Sequence, residues 1–155
     1  MIVKDILMTK EDALAAIKKA KEAHEAQMQK IETALNGKEV TNPTAVEKTK
    51  CEFGKWLYDP DGHVQEIIGS QFYENLDVEH EKWHREYLRI FNILFKGQKK
   101  QGLFSKILGK PAVDPLELDK ARLYYTELQE TTAGLLKALG SAERRISALQ
   151  ETKFH

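Results

Sequence analysis

Residues 121–149 read ARLYYTELQETTAGLLKALGSAERRISAL, and positions 121, 125, 128, 132, 135, 139, 142, 146 and 149 follow alternating steps of four and three. The residues there are Ala, Tyr, Leu, Thr, Leu, Leu, Ala, Ile and Leu, a heptad seam that predicts one long amphipathic helix beginning after Asp114-Pro115. Gly134 and Gly140 weaken it, because glycine costs about 1 kcal/mol relative to alanine inside a helix. Nine matched positions exceed what one side of a small core needs. The seam can close a bundle or pair with a second copy, and a homodimer is the favoured expectation.

Two more long helices precede it. Thr9 and Asp12 form an N-terminal capping pair, and Asn36-Gly37 is a stop, so a helix is expected between them. Its inward stripe is Leu14, Ile17, His24, Met28, Ile31 and Leu35. A second is expected from near Phe72 to Lys96-Gly97, with Tyr73, Leu76, His80, His84, Tyr87, Phe91 and Leu94 on one face. Between them, GKEVTNPT reads as a loop and AVEKTKCEFGKWLY as a short helix that DPDG terminates. KGQKKQGLFSKILGKPAVDP, with five lysines, reads as a long solvated connection, and its LFSKIL turn is a candidate for docking on a partner or a membrane surface. No strand of useful length is present. The expectation is an all-α protein, an antiparallel four-helix bundle with a short additional helix carrying the cysteine. It comprises one domain over residues 1–155, with a leader at 1–8 and a lysine-rich connection at 97–113.

Composition narrows the function. The 155 residues carry 24 lysines and arginines against 24 aspartates and glutamates, which disfavours a general affinity for nucleic acid or anionic membranes. One cysteine cannot form an internal disulfide. The first residues lack the apolar run of a signal peptide, and nowhere do eighteen apolar residues stand together, so no integral membrane segment and a cytoplasmic location are expected.

That one thiol, in CEFGKWLYDPDG (51–62), is the chemically unusual residue. His80 and His84 are four apart, hence about 40° apart around a helix axis with Cβ atoms roughly 5–6 Å from each other, so two imidazoles can meet one ion. Such a pair is common on helices by chance. Location gives it weight, because imidazoles turned into a bundle core need partners, and leaving one unsatisfied costs on the order of 1–3 kcal/mol. His24, His80 and His84 on two core faces, with Cys51 on the intervening short helix, make a Cys-plus-three-His set suited to zinc. Four protein ligands leave no position for an activated water, so the set describes a structural or sensory site and the protein is read as no enzyme. Asp77, Glu79 and Glu81 are candidate acceptors for the imidazole nitrogens facing away from the metal. Phe53, Trp56, Trp83 and Tyr87 read as core, Gly54 as a close-packing residue, and His63 as a surface residue with a minor claim to be an alternative ligand.

The order His24, then CEFGKWLY from Cys51, then HEKWH from His80 to His84 resembles the chemoreceptor zinc-binding domain family of bacteria. The resemblance covers residues 14–95 by motif and the last helix by architecture. It implies zinc ligation by His24, Cys51, His80 and His84, sensing of zinc or hypochlorous acid through a zinc-thiolate, and a signalling partner in a chemoreceptor or diguanylate cyclase pathway. Two other readings compete with it. One is a bundle in which the metal only holds helices together, and the other is a zinc-dependent hydrolase. A di-iron centre of the hemerythrin kind needs more inward histidines and carboxylates than this chain offers.

Overall fold

The computed structural model describes residues 8–95 and 113–154. They form helices α1 (Lys10–Leu35), α2 (Glu52–Leu57), α3 (Val64–Ile68), α4 (Ser70–Leu94) and α5 (Pro115–Ala148), followed by a 3-10 turn (Glu151–Phe154). The described residues contain no strand, and the protein is all-α. The leader apart from Met8, the lysine-rich connection with its LFSKIL turn apart from Val113, and His155 lie outside the described residues.

The long helices are bounded by the signals the sequence carries. Thr9 Oγ1 accepts from the Asp12 amide at 3.0 Å while Asp12 Oδ2 accepts from the Thr9 amide at 3.1 Å, satisfying donors that a helix start leaves unpaired. Gly37, at φ 81°, takes the left-handed conformation that lets the chain leave α1 without a Cβ penalty. At α5, Asp114 Oδ1 accepts from the Leu116 amide at 3.2 Å and Pro115 fills the first position.

α5 runs antiparallel to both other long helices. Lys10 at the start of α1 donates to the Leu149 carbonyl at 3.0 Å, and Arg122 near the start of α5 donates to the Leu35 carbonyl at 3.2 Å. Likewise Arg145 reaches the Ile68 carbonyl just before α4, and Arg89 late in α4 pairs with Glu127. α1 and α4 therefore run the same way. The described residues supply three long helices, and the fourth side of the bundle is taken by the chain between α1 and α4.

That chain travels back along both helices. Asn42 accepts from Lys30, the Thr44 amide donates to Gln27 Oε1 at 2.7 Å, the Thr44 carbonyl accepts from Tyr87 at 2.7 Å, and Val46 lies at His84. Further on, Lys48 and Tyr58 both meet Asp77. Its residues Asn42, Thr44 and Val46 spend backbone groups on side chains of α1 and α4, leaving those groups out of helical bonding. Only Glu52–Leu57 of the expected 45–58 helix is helical, and Cys51 is its N-cap. A helix start was expected near His63, its N-cap, but α3 was not expected as a separate helix, since five residues are too few to show a period, and Gly69 at φ 94° turns the chain from α3 into α4.

The seam of α5 is consumed inside the chain. Ala121, Leu128, Thr132, Leu135, Leu139, Ala142 and Ile146 are buried against α1 and α4, and Tyr125 is half-buried. On α4, Leu76, Trp83, Tyr87, Ile90 and Leu94 are buried, whereas Tyr73 and Phe91, both expected inside, lie half-covered at the edges of the face.

Leu128→Ala is expected to lower the unfolding free energy by about 2–5 kcal/mol in urea titrations, because a side chain with 0% exposure leaves a cavity in a packed layer. Leu123→Ala, 60% exposed on the same helix, is expected to change it by less than about 0.5 kcal/mol.

Candidate metal centre

Three elements converge halfway along the bundle. α1 contributes His24, α4 contributes His80 and His84 one turn apart, and α2 carries Cys51 at its N-cap. All four are buried, and one donor atom from each lies within 4.8 Å of every other. His63 stays apart on the surface, its Nδ1 3.4 Å from Glu66 Oε1.

Each donor has a definite orientation. His24 Nδ1 lies 2.7 Å from the Ala20 carbonyl, and His84 Nδ1 lies 2.8 Å from the Val46 carbonyl. A carbonyl only accepts, so both Nδ1 atoms carry the hydrogen and both Nε2 atoms offer a lone pair. Those two Nε2 atoms are buried and have no hydrogen-bond partner. Two orphaned acceptors in one place are costly without a third party. His80 Nε2 sits 3.3 Å from Cys51 Sγ. A sulfur and three imidazole nitrogens aimed at one small volume fit a tetrahedral thiophilic cation such as zinc, and do not fit magnesium or calcium, which want oxygen.

Cys51 is held where its sulfur is useful. Sγ accepts from the Gly54 amide at 3.3 Å and approaches the Lys48 carbonyl at 3.5 Å. Burial pushes the thiol above its ordinary value, and the amides of Gly54 and Phe53 pull the other way without prevailing. A cation beside the sulfur reverses that balance, since positive charge favours thiolate. Gly54 is required by contact: a Cβ there would fall on the Lys48 carbonyl oxygen, which is backbone and cannot yield.

The surroundings are dry and aromatic. The Phe53 ring meets His80 edge-on at 4.9 Å between centroids, and Trp83 meets His24 at 4.7 Å. Trp83 is itself fixed by donating to Thr132 Oγ1 at 2.8 Å. Trp56 is only half-buried, stacks on Phe53 and donates to the Met8 thioether at 3.2 Å, so it closes the outer side rather than filling the core. Of the three candidate acids, Asp77 accepts from Tyr58 and Lys48, Glu81 pairs with Lys48 at 3.5 Å, and Glu79 lies over Gly134 of α5. Tyr58, expected beside the cysteine but given no role at the site, also faces His80 Nδ1 at 3.3 Å. Its only sequence signal was its position at the end of the CEFGKWLY stretch.

Residues 24–91 match the family model described as the chemoreceptor zinc-binding domain. No curated protein and no solved structure matches the chain.

Burial holds the imidazoles neutral. His80 is pushed down to about 2, mainly by burial and then by His84, His24 and Lys48 nearby. His84 is pushed down to about 4 by burial, against the Val46 carbonyl, and burial likewise lowers His24. An unfolded chain protonates these groups near 6.5, so below that pH the unfolded state binds more protons and stability falls as pH falls. In chelator-treated protein the urea midpoint is expected to stay level above pH 7 and to drop between pH 6.5 and 5, each imidazole contributing up to about 1.4 kcal/mol per pH unit. A level midpoint through that interval counts against three buried neutral imidazoles.

Proposed function

We propose, from the chemoreceptor zinc-binding domain matched over residues 24–91, that the protein holds one zinc ion through His24, Cys51, His80 and His84 and serves as a sensory or regulatory module. The observation that carries this is the pair of buried, partnerless Nε2 atoms of His24 and His84 beside the Cys51 sulfur and His80. Zinc in such a set supplies the positive charge that keeps a buried thiol ionised at neutral pH. Four protein donors make a closed set with no place for a reacting water, which supports a non-enzymatic role.

The chain's own residues turn this set into a responsive one. Cys51 is both a donor and the N-cap of α2, so its sulfur ties the short helix to α4. Hypochlorous acid, a two-electron oxidant, converts the thiolate to sulfenic acid with release of chloride, and the oxidised sulfur is a poorer donor. α2 then loses a principal attachment, and the fourth side of the bundle is freed to move. A change in zinc level acts on the same joint, because the ligands come from three separate elements and binding energy enters directly into their packing.

In this reading residues 1–155 act as one helical domain through contacts with a signalling protein, of the chemoreceptor or diguanylate cyclase pathways that the family resemblance implies, in the cytoplasm. No helix among the described residues is long and apolar enough to cross a membrane. The seam that suggested a second copy is spent within the chain. A homodimer now stands on exposed Leu116 and Leu123, one heptad apart at the start of α5. Sedimentation of a Leu116→Glu, Leu123→Glu double variant is expected to give a monomer where the unaltered protein gives a dimer, and a monomer in both cases removes the dimer from the proposal.

Elemental analysis of the purified protein is expected to find about one zinc per chain, and far less in Cys51→Ala and His84→Ala. Equal zinc in all three overturns the ligand assignment. Mild hypochlorite is expected to release zinc and modify Cys51, and an intact thiol at doses that oxidise methionine removes the redox part of the reading.

A further inference from the structure

His80 differs from the other two imidazoles. His24 and His84 each rest Nδ1 on a backbone carbonyl, but His80 Nδ1 faces the Tyr58 hydroxyl oxygen at 3.3 Å. A carbonyl dictates the tautomer, whereas a phenol can accept or donate and dictates nothing by itself. What decides the matter is the next residue. Tyr58 donates its one hydrogen to Asp77 Oδ1 at 2.6 Å, and that same oxygen accepts from Lys48 Nζ at 3.0 Å. Burial tends to raise the Asp77 carboxyl, but the Tyr58 and Lys48 donors outweigh it and leave it below its ordinary value, an ionised acceptor. With its hydrogen spent there, the Tyr58 oxygen has only lone pairs left for His80.

We propose that Tyr58 and Asp77 are positioning residues of the metal centre: the chain Asp77–Tyr58–His80 holds His80 with its hydrogen on Nδ1 and turns the Nε2 lone pair toward the Cys51 sulfur. The inference rests on the zinc reading above for its purpose, though the tautomer it assigns does not depend on a metal. Its geometry also gives α2 two holds on one ring. Cys51 at the N-cap of α2 meets His80 Nε2, and Tyr58 at the C-cap meets His80 Nδ1. The two other imidazoles owe their tautomers to backbone that no substitution removes. His80 owes its own to side chains, so it is the donor whose readiness the sequence can tune.

Three single variants and one double variant separate this from a packing role. Tyr58→Phe keeps the ring beside His80 and removes the hydroxyl. Asp77→Ala frees the Tyr58 hydrogen to point at His80 Nδ1, which favours the opposite tautomer. Tyr73→Phe is the control, since that ring packs 6.5 Å from Tyr58 and stands apart from His80. Imidazole nitrogen-15 chemical shifts of the chelator-treated protein report the tautomer, and competition with a chromophoric chelator reports zinc affinity. We expect His80 to carry its hydrogen on Nδ1 in the unaltered protein, to mix tautomers in Tyr58→Phe, and to shift toward Nε2–H in Asp77→Ala. Zinc affinity is expected to fall about 10–100-fold in each of these two variants, to fall no further in the Tyr58→Phe, Asp77→Ala double variant than in Asp77→Ala alone, and to hold in Tyr73→Phe. A His80 tautomer unchanged in Tyr58→Phe and Asp77→Ala, or losses that simply add in the double variant, overturns the proposal. Failure of the unaltered protein to take up zinc overturns the function proposed above, while the nitrogen-15 shifts still decide the tautomer.

Discussion

Everything in the middle of this protein depends on the cost of burying polar atoms without partners. His24, His80 and His84 are almost fully enclosed by apolar and aromatic side chains, and a thiol is enclosed with them. Two of the three imidazoles use their Nδ1 hydrogens on carbonyls and leave Nε2 with nothing to accept from. A core built for stability alone would place leucine or methionine at such positions, because each unpaired polar atom costs on the order of 1–3 kcal/mol. The two unpaired Nε2 atoms at this crossing would recover that cost by binding a cation. The same burial that makes them expensive makes them ready donors, since it keeps the rings neutral and their lone pairs unprotonated.

The backbone is arranged to serve this crossing. A fourth regular helix beside α1 and α4 would bond its own amides and carbonyls internally. The segment that lies there leaves them open to Gln27, His84 and Tyr87, and this brings its Val46 carbonyl to one imidazole and its Cys51 sulfur to another. Gly54 lets α2 lie directly against the Lys48 carbonyl, and its amide donates to the sulfur.

Much of this was legible beforehand in particular residues. Thr9 with Asp12, Asn36-Gly37 and Asp114-Pro115 mark helix ends by local hydrogen-bonding rules, and the structure uses all three. The heptad steps of residues 121–149 predicted a helix buried on one side, and Leu128, Leu135 and Ile146 lie there with 0% exposure. Tyr73 and Phe91 were expected inside and Ile90 was passed over, because a stripe read at ideal steps does not say how wide the covered face is. The four donors singled out by residue type and spacing lie within one small volume, so that cluster was legible too.

What the sequence by itself determined was therefore local: where helices begin and end, which faces are apolar, and which few residues carry unusual chemistry on those faces. Tertiary structure alone decided that α1 and α4 run the same way, that largely irregular chain with two short helices instead of one long helix fills the side between them, and that Tyr58 and Asp77 stand behind His80. The reason is the range of the forces involved. Caps and amphipathic periods are set by neighbours a few residues apart, whereas the path of the connecting segment is set by bonds between residues twelve to forty-three positions apart, such as Asn42 with Lys30 and Thr44 with Gln27 and with Tyr87, which leave no periodic trace along the chain.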